Sequence, residues 1–248
     1  IQGTYNLLNI SYKYWSGLNN KLKENFRFIH VSTDEVYGDA YGKDVFTEKS
    51  PYLPNSPYAA SKASSDLLVR SWGKTYNFPV IITNSSNNYG KWQFPEKLIP
   101  LTIKKIILNK EIPVYGDGSQ IRDWLNVNDH INALLMILNN GKIGETYNIS
   151  SGVETTNIQL IELICSKMNE IIKPKNINNY EQLITFVSDR PGHDRRYAVD
   201  NSKLLEELGW KQKISLENGI KETIDWYLTN KDWLLNDKDL TYDGSRLG

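Results

Sequence analysis

Two short runs rich in β-branched and aromatic residues, 26–32 and 79–84, flank a helix-like stretch at 58–76. That order constrains the fold more than any other feature of the chain. Phe26-Arg27-Phe28-Ile29-His30-Val31 reads as a buried strand, and so does Pro79-Val80-Ile81-Ile82-Thr83-Asn84. Strand, crossover helix and strand together make a parallel pair, whose two faces must both be covered. Further elements extend the α/β pattern. Residues 4–16 and 129–138 are helical, and 96–109 form an amphipathic helix through Leu98, Leu101, Ile103, Ile106 and Ile107, with Pro100 early in it. Strands follow at 112–115, ahead of the turn Gly116-Asp117-Gly118, and at 145–149. After Gly152 the pattern changes. Thr156-Asn157 caps a helix reaching about residue 172, a polar connection covers 176–181, a strand covers 183–187, and helices lie near 201–208 and 215–229. The last dozen residues carry little signal beyond Tyr242 and Arg246.

Composition excludes several classes. The formal net charge is zero and no basic run stands out, so nothing points to nucleic acid or an anionic membrane. The single cysteine, Cys165, rules out an internal disulfide framework and reads as a buried thiol among Ile161, Ile164 and Met168. No apolar run approaches the ~18 residues of a membrane span, and there is no signal peptide, so a cytoplasmic enzyme is expected. His30, His130 and His193 lack ligand-like spacing, so no metal is expected.

Chemistry concentrates between the first strand and the helix after it. Thr33, Asp34 and Glu35 emerge at the strand's carboxyl end, the edge at which open α/β sheets bind ligands. Tyr58 and Lys62, four apart in a helix, share a face. A tyrosine is a poor base at neutral pH, and a neighbouring ammonium lowers its pKa. Two carboxyl groups in different environments can divide acid and base duties between them. The plainer alternatives are an exposed Tyr and Lys without a role, and a surface acidic pair opening a helix.

The ordered set Thr33-Asp34-Glu35, Tyr58-x-x-x-Lys62, Asn87-Asn88-Tyr89-Gly90, Phe94-Pro95-Glu96-Lys97-Leu98-Ile99-Pro100, Gly116-Asp117-Gly118, Arg122-Asp123-Trp124 and Asp189-Arg190-Pro191-Gly192-His193-Asp194-Arg195-Arg196-Tyr197 resembles the extended short-chain dehydrogenase/reductase family, and within it the nucleotide-sugar 4,6-dehydratases. The resemblance implies an α/β fold: a Rossmann-type parallel sheet flanked by helices, with a smaller C-terminal substrate-binding lobe. Residues 1–150 would belong to the NAD-binding domain, with substrate-contact segments interleaved, and 151–248 mainly to the lobe. It implies NAD as cofactor, dTDP-glucose as substrate and a homodimer paired through the helices at 4–16 and 58–76. It also assigns roles. Tyr58 would deprotonate the sugar hydroxyl, Lys62 would hold the nicotinamide ribose, Thr33 would bond the C4 oxygen, Glu35 would be the base and Asp34 the acid. Asn88 would face the nicotinamide and Asn87 the sugar. Lys97 and Leu98 would meet the diphosphate-sugar, and Pro113, Val114 and Tyr115 would wall the thymine. Arg122 would clamp the diphosphate, and Asn157 with Asp189, Arg190, Pro191, Gly192 and His193 would complete the nucleotide pocket.

One departure is visible: the family's Tyr-Gly-Pro-Tyr is Tyr89-Gly90-Lys91-Trp92 here. Rival outcomes on the same fold are a UDP-glucose 4,6-dehydratase, a decarboxylase or a 4-epimerase. The last two have no need of an acid to expel a C6 hydroxyl. No Gly-x-Gly-x-x-Gly phosphate loop occurs in the 248 residues, and the first residues read as helix interior. The expectation is a portion of a longer enzyme lacking about 90 residues, roughly three βα units. Such a segment would by itself bind NAD poorly and turn over slowly or not at all. A non-catalytic remnant that binds a sugar nucleotide or a partner is the alternative from another class.

Overall fold

A computed structural model describes residues 1–40, 42 and 44–235, so Tyr242, Arg246 and the end of the expected lobe lie outside the described residues. The elements run α1 (Gln2–Ser16), α2 (Asn20–Asn25), β1 (Phe28–Thr33), a 3₁₀ turn (Asp34–Tyr37), α3 (Pro57–Tyr76), β2 (Val80–Ser85), β3 (Asn87–Tyr89), α4 (Leu98–Ile107), β4 (Ile112–Tyr115), β5 (Ile121–Asn126), α5 (Val127–Asn140), β6 (Thr146–Ile149), β7 (Glu154–Thr156), α6 (Asn157–Ile171), a 3₁₀ turn (Tyr180–Leu183), β8 (Ile184–Val187), α7 (Ser202–Leu208), α8 (Leu216–Thr229) and α9 (Lys231–Leu235).

The principal sheet is parallel, in the order β1-β2-β6, with Phe28 opposite Val80 and Ile82 opposite Thr146. Its middle strand shows why both faces are covered. Successive side chains of β2 point to opposite sides. Val80 and Ile82 join Leu8 of α1 and Val69 of α3, while Ile81 joins Ala133 and Ile137 of α5 and Leu204 of α7. Burying both faces at roughly 25 cal/mol per Å² of apolar area sandwiches the sheet between helices. Local signals delimit those helices. The Ser56 side chain accepts from Ala59 N at the start of α3, Pro57 occupies its first turn, and Asn77 closes it at φ 52°. Thr156 and Gln159 form a capping box on α6.

A second core, around Ile99, Ile103, Ile112, Leu160, Ile164 and Ile224, unites α4, α6 and α8 with β4. Strand β5 bridges the two cores: Trp124 faces this one and Leu125 the other. The cores therefore interleave along the chain. Residues 98–114 pack with the C-terminal helices, whereas α7 returns to the principal sheet. Beside β5 lie β3, parallel to it, and β7, antiparallel; β4 pairs in parallel with β8.

Candidate active site

The carboxyl end of β1 turns directly into the 3₁₀ segment, and Thr33 caps it by accepting from Glu35 N at 3.3 Å. This turn places Asp34 and Glu35 at a helix start, as the plain surface reading had it, but inside the protein: Asp34 is only 3 % exposed. Thr33 Oγ1 donates to Asp34 Oδ1 at 3.2 Å, while Asp34 Oδ2 is buried without a partner. Burial, then the charges of Glu35 and Asp123, push Asp34 up to about 8, against the opposing pull of Arg122 and the Thr33 hydroxyl. Glu35 is also raised, chiefly by burial, but Arg122, Arg190 and a hydrogen bond involving Tyr197 hold it down. The turn thus favours the protonated form of Asp34 at neutral pH, beside a Glu35 whose own pKa burial raises and two guanidinium groups oppose.

Tyr58 stands half-exposed at the start of α3, close enough for Glu35, Asp34 and Asp66 to act on its phenol. Among the protein's own groups the balance runs against the phenolate. Burial comes first, those three carboxyl groups second, and together they raise the phenol's pKa. The Lys62 ammonium, expected to lower it, instead donates to Val31 O on β1 at 2.9 Å.

Asn87 and Asn88, expected just past a strand, form the short strand β3. Both have a buried Oδ1 without a partner, and Asn88 Nδ2 donates to Ser86 O at 3.0 Å. With the orphaned Ser32 Oγ on β1, these atoms leave unsatisfied polar groups around the carboxyl end of the sheet. They fit the polar nicotinamide end of a dinucleotide, which Tyr58, Lys62 and Asn88 would hold.

Arg122 lies on β5, a strand that the polar sequence Arg122-Asp123 concealed. Its guanidinium stacks over Tyr197, 4.1 Å from the ring centre, and donates from Nη2 to Asp194 O at 2.8 Å and from Nη1 to Ile121 O at 2.7 Å. Tyr197 OH donates to Asp194 Oδ2 at 2.8 Å, and Asn55 Nδ2 donates to Asp194 Oδ1 at 2.8 Å. Asp123 is satisfied by Ser86 Oγ at 2.8 Å and by the amides of Ser151 and Gly152 at 2.8 and 2.6 Å. Asp123, Asp194 and Tyr197 stood inside the quoted motifs without a role. Their partners come from distant segments, which no local spacing reveals.

The segment 189–193 closes the other end. Asp189 Oδ2 accepts from Gln120 Nε2, and Asp189 Oδ1 bonds His193 Nδ1, both at 2.8 Å. Arg190 Nη2 meets His193 Nε2 at 2.8 Å, and its guanidinium lies 5.0 Å from the Tyr115 ring centre. A guanidinium can only donate, so Nε2 accepts and the neutral ring donates from Nδ1 to Asp189. Burial, with the Arg190 charge, lowers the His193 pKa in keeping with that neutral form. Pro191 and Gly192 are exposed beside it. Asn157, first residue of α6, keeps a buried Oδ1 free, as does Gln120 at Oε1, a residue the sequence reading passed over. Lys97 is exposed and paired with Glu96 at 2.8 Å, and Leu98 packs on the lobe core. Pro113 is half-buried on β4. Val114 departs from expectation: its side chain is 2 % exposed within the lobe core, because alternate residues of β4 point inward. It is core rather than wall.

Known proteins match this arrangement along the chain. The family described as GDP-mannose 4,6 dehydratase matches residues 1–223. A dTDP-glucose 4,6-dehydratase of Neisseria meningitidis serogroup B is 53 % identical over 251 residues, covering all of this chain and 71 % of that protein. One from Escherichia coli is 53 % identical over 259 residues, covering 72 % of its length. Among solved structures, dTDP-glucose 4,6-dehydratase of Bacillus anthracis in complex with NAD superposes at a TM-score of 0.81, with 41 % identity over 93 % of this chain and 68 % of that one. The UDP-glucose 4-epimerase of Thermotoga maritima reaches 0.78 at 27 % identity, covering 93 % of this chain and 70 % of that one. Fold and site together define an extended short-chain dehydrogenase/reductase. Within that class, the chain belongs to the dTDP-glucose 4,6-dehydratase family.

Proposed function

We propose that this protein is a cytoplasmic dTDP-glucose 4,6-dehydratase acting as a homodimer, converting dTDP-glucose to dTDP-4-keto-6-deoxyglucose. The observation that carries the reading is the protonated Asp34 beside Glu35 and the Tyr58 phenol, a division of acid and base that elimination of water requires. Tyr58 takes the proton from the C4 hydroxyl, and Thr33 bonds the C4 oxygen. A ketone at C4 acidifies the proton at C5, which Glu35 removes. Asp34 gives its proton to the departing C6 hydroxyl, so water leaves across C5 and C6; Glu35 then returns its proton to C5 as C6 is reduced, and the proton taken by Tyr58 replaces the one lost from Asp34. NAD, which Tyr58, Lys62 and Asn88 would hold, would supply a positive ring beside the Tyr58 phenol and the hydride-transfer chemistry that links C4 and C6 without an external reductant. Asp34 in its protonated form favours this outcome over epimerisation or decarboxylation, which expel no C6 hydroxyl.

Arg122 and Arg190 supply positive charge beside the carboxyl groups, suited to a diphosphate. In this reading Asn157, Asp189, His193 and Tyr115 would meet the base, with Pro191, Gly192, Pro113, Lys97 and Leu98 beside it and Asn87 toward the sugar. Division into a NAD-binding part and a substrate lobe accords with the two cores. The homodimer reading draws on α1, whose Leu7, Ile10 and Tyr14 are exposed at helical spacing, and on exposed Leu67 of α3. The direct test incubates the complete gene product with NAD and dTDP-glucose and looks for the 4-keto-6-deoxy product. Its absence refutes the reading, and normal turnover by Glu35→Gln refutes the base assigned.

A further inference from the structure

Asp66 is a buried acid that the proposed chemistry leaves unused: 1 % exposed, on α3, one helical turn beyond Lys62 and two beyond Tyr58. Positions four and eight apart share a helix face, so all three address the principal sheet from the same side. Its two oxygens reach different strands. Oδ1 bonds His30 Nε2 on β1 at 3.0 Å, and Oδ2 accepts from Asn84 Nδ2 on β2 at 3.2 Å. Asn84, fully buried, has its whole amide in use. The second Nδ2 hydrogen goes to Thr33 O at 3.1 Å, and Oδ1 lies 3.5 Å from the Tyr52 hydroxyl that donates to it.

A carboxylate accepts and cannot donate, so it fixes which way the Asn84 amide faces. Turned over, Asn84 would aim its own oxygen at Oδ2 and leave Thr33 O without a donor. Thr33 is the residue whose hydroxyl caps the turn bearing Asp34 and Glu35. The helix that carries Tyr58 and Lys62 is thereby tied to the strand end that carries the acid and base. The Lys62 contact to Val31 O is a second tie along the same edge.

We propose that Asp66 is a positioning residue: through His30 and Asn84 it sets the register of α3 against the carboxyl end of β1, so that Tyr58 meets the Thr33-Asp34-Glu35 turn in reacting geometry. The inference rests on the catalytic reading above, but its first test does not. Asp66→Leu is close in size but offers no acceptor, and its crystal structure should show the Asn84 amide displaced from Thr33 O and the Lys62 Nζ to Val31 O distance grown from 2.9 Å by roughly 0.5 Å or more. If the contacts of Asn84 to Thr33 O and Lys62 to Val31 O both persist, the proposal is overturned whatever the enzyme turns over. In kinetics of the complete gene product, Asp66→Ala and Asn84→Ala should each lower kcat ~10–100-fold while KM stays within about threefold, the signature of misplaced reacting groups. Combining them should cost little more than the worse single change, because they act as one unit. A merely structural role would lower the melting temperature and leave kcat per folded molecule unchanged, which overturns the proposal. Should the parent protein itself fail to convert dTDP-glucose, the catalytic reading falls, and the crystallographic result still decides the role of Asp66.

Discussion

Asp34 gives the sharpest test, because the site asks a carboxyl group to stay protonated where ordinary aspartates ionise. Its passage from 3.8 to about 8 is caused by burial first and by Glu35 and Asp123 next. Each pKa unit corresponds to about 1.4 kcal/mol. That rise therefore sets an upper bound of roughly 5–6 kcal/mol on the cost of ionising Asp34 in the folded chain, and relaxation and water entry reduce this to about 2–4 kcal/mol. The sign follows from proton binding. The folded state holds this proton more tightly than the unfolded one, so the contribution is complete below about pH 4 and is lost as pH rises through about 8. Asp34→Asn is neutral at every pH and removes that loss. Urea unfolding of parent and variant at pH 5, 7 and 9 should show a difference that grows with pH and reaches about 2–4 kcal/mol in the variant's favour at pH 9. Turnover should meanwhile fall ~10²–10⁴-fold, since an amide has no proton to give the leaving hydroxyl. Parallel stability curves across that range would refute a raised Asp34 and, with it, the assignment of the acid.

Three further outcomes are expected. Arg122→Met removes the charge that holds Glu35 down, so the acidic limb of the kcat profile should move to higher pH; an unmoved limb in a folded variant counts against that electrostatic role. Gly219→Ala on α8 puts a methyl group onto the Tyr89 hydroxyl and within 3.0 Å of Asn126 Nδ2, both fixed in the core, and should destabilise by about 1–3 kcal/mol in urea unfolding; an unchanged midpoint would contradict that packing. Ile10→Glu, at an exposed α1 position, should convert the proposed homodimer to monomer in light scattering without loss of helix content, and a dimer that survives it would count against pairing through this face.

Most elements were legible because their signals are local. The strand at 26–32 and the helix at 58–76 follow from residue pattern, and α6 begins at the Thr156-Asn157 cap. Strand β5 escaped notice because a charged pair such as Arg122-Asp123 carries no strand signal, and Ser86, Ser151, Gly152 and Asp194, all remote in sequence, satisfy it in the interior. Strands β3 and β7, three residues each, are too short to carry a period. Side-chain direction escaped as well: Val114 turned inward once β4 paired with β8.

Residue order alone determined the α/β plan, the family and the reactive residue types, since each rests on spacing along one segment. Only tertiary structure decided which groups surround Asp34 and Tyr58 and raise the pKa of both, and which segments join each core. Those properties depend on burial and on charges brought together from distant parts of the chain, which distance along the sequence does not encode.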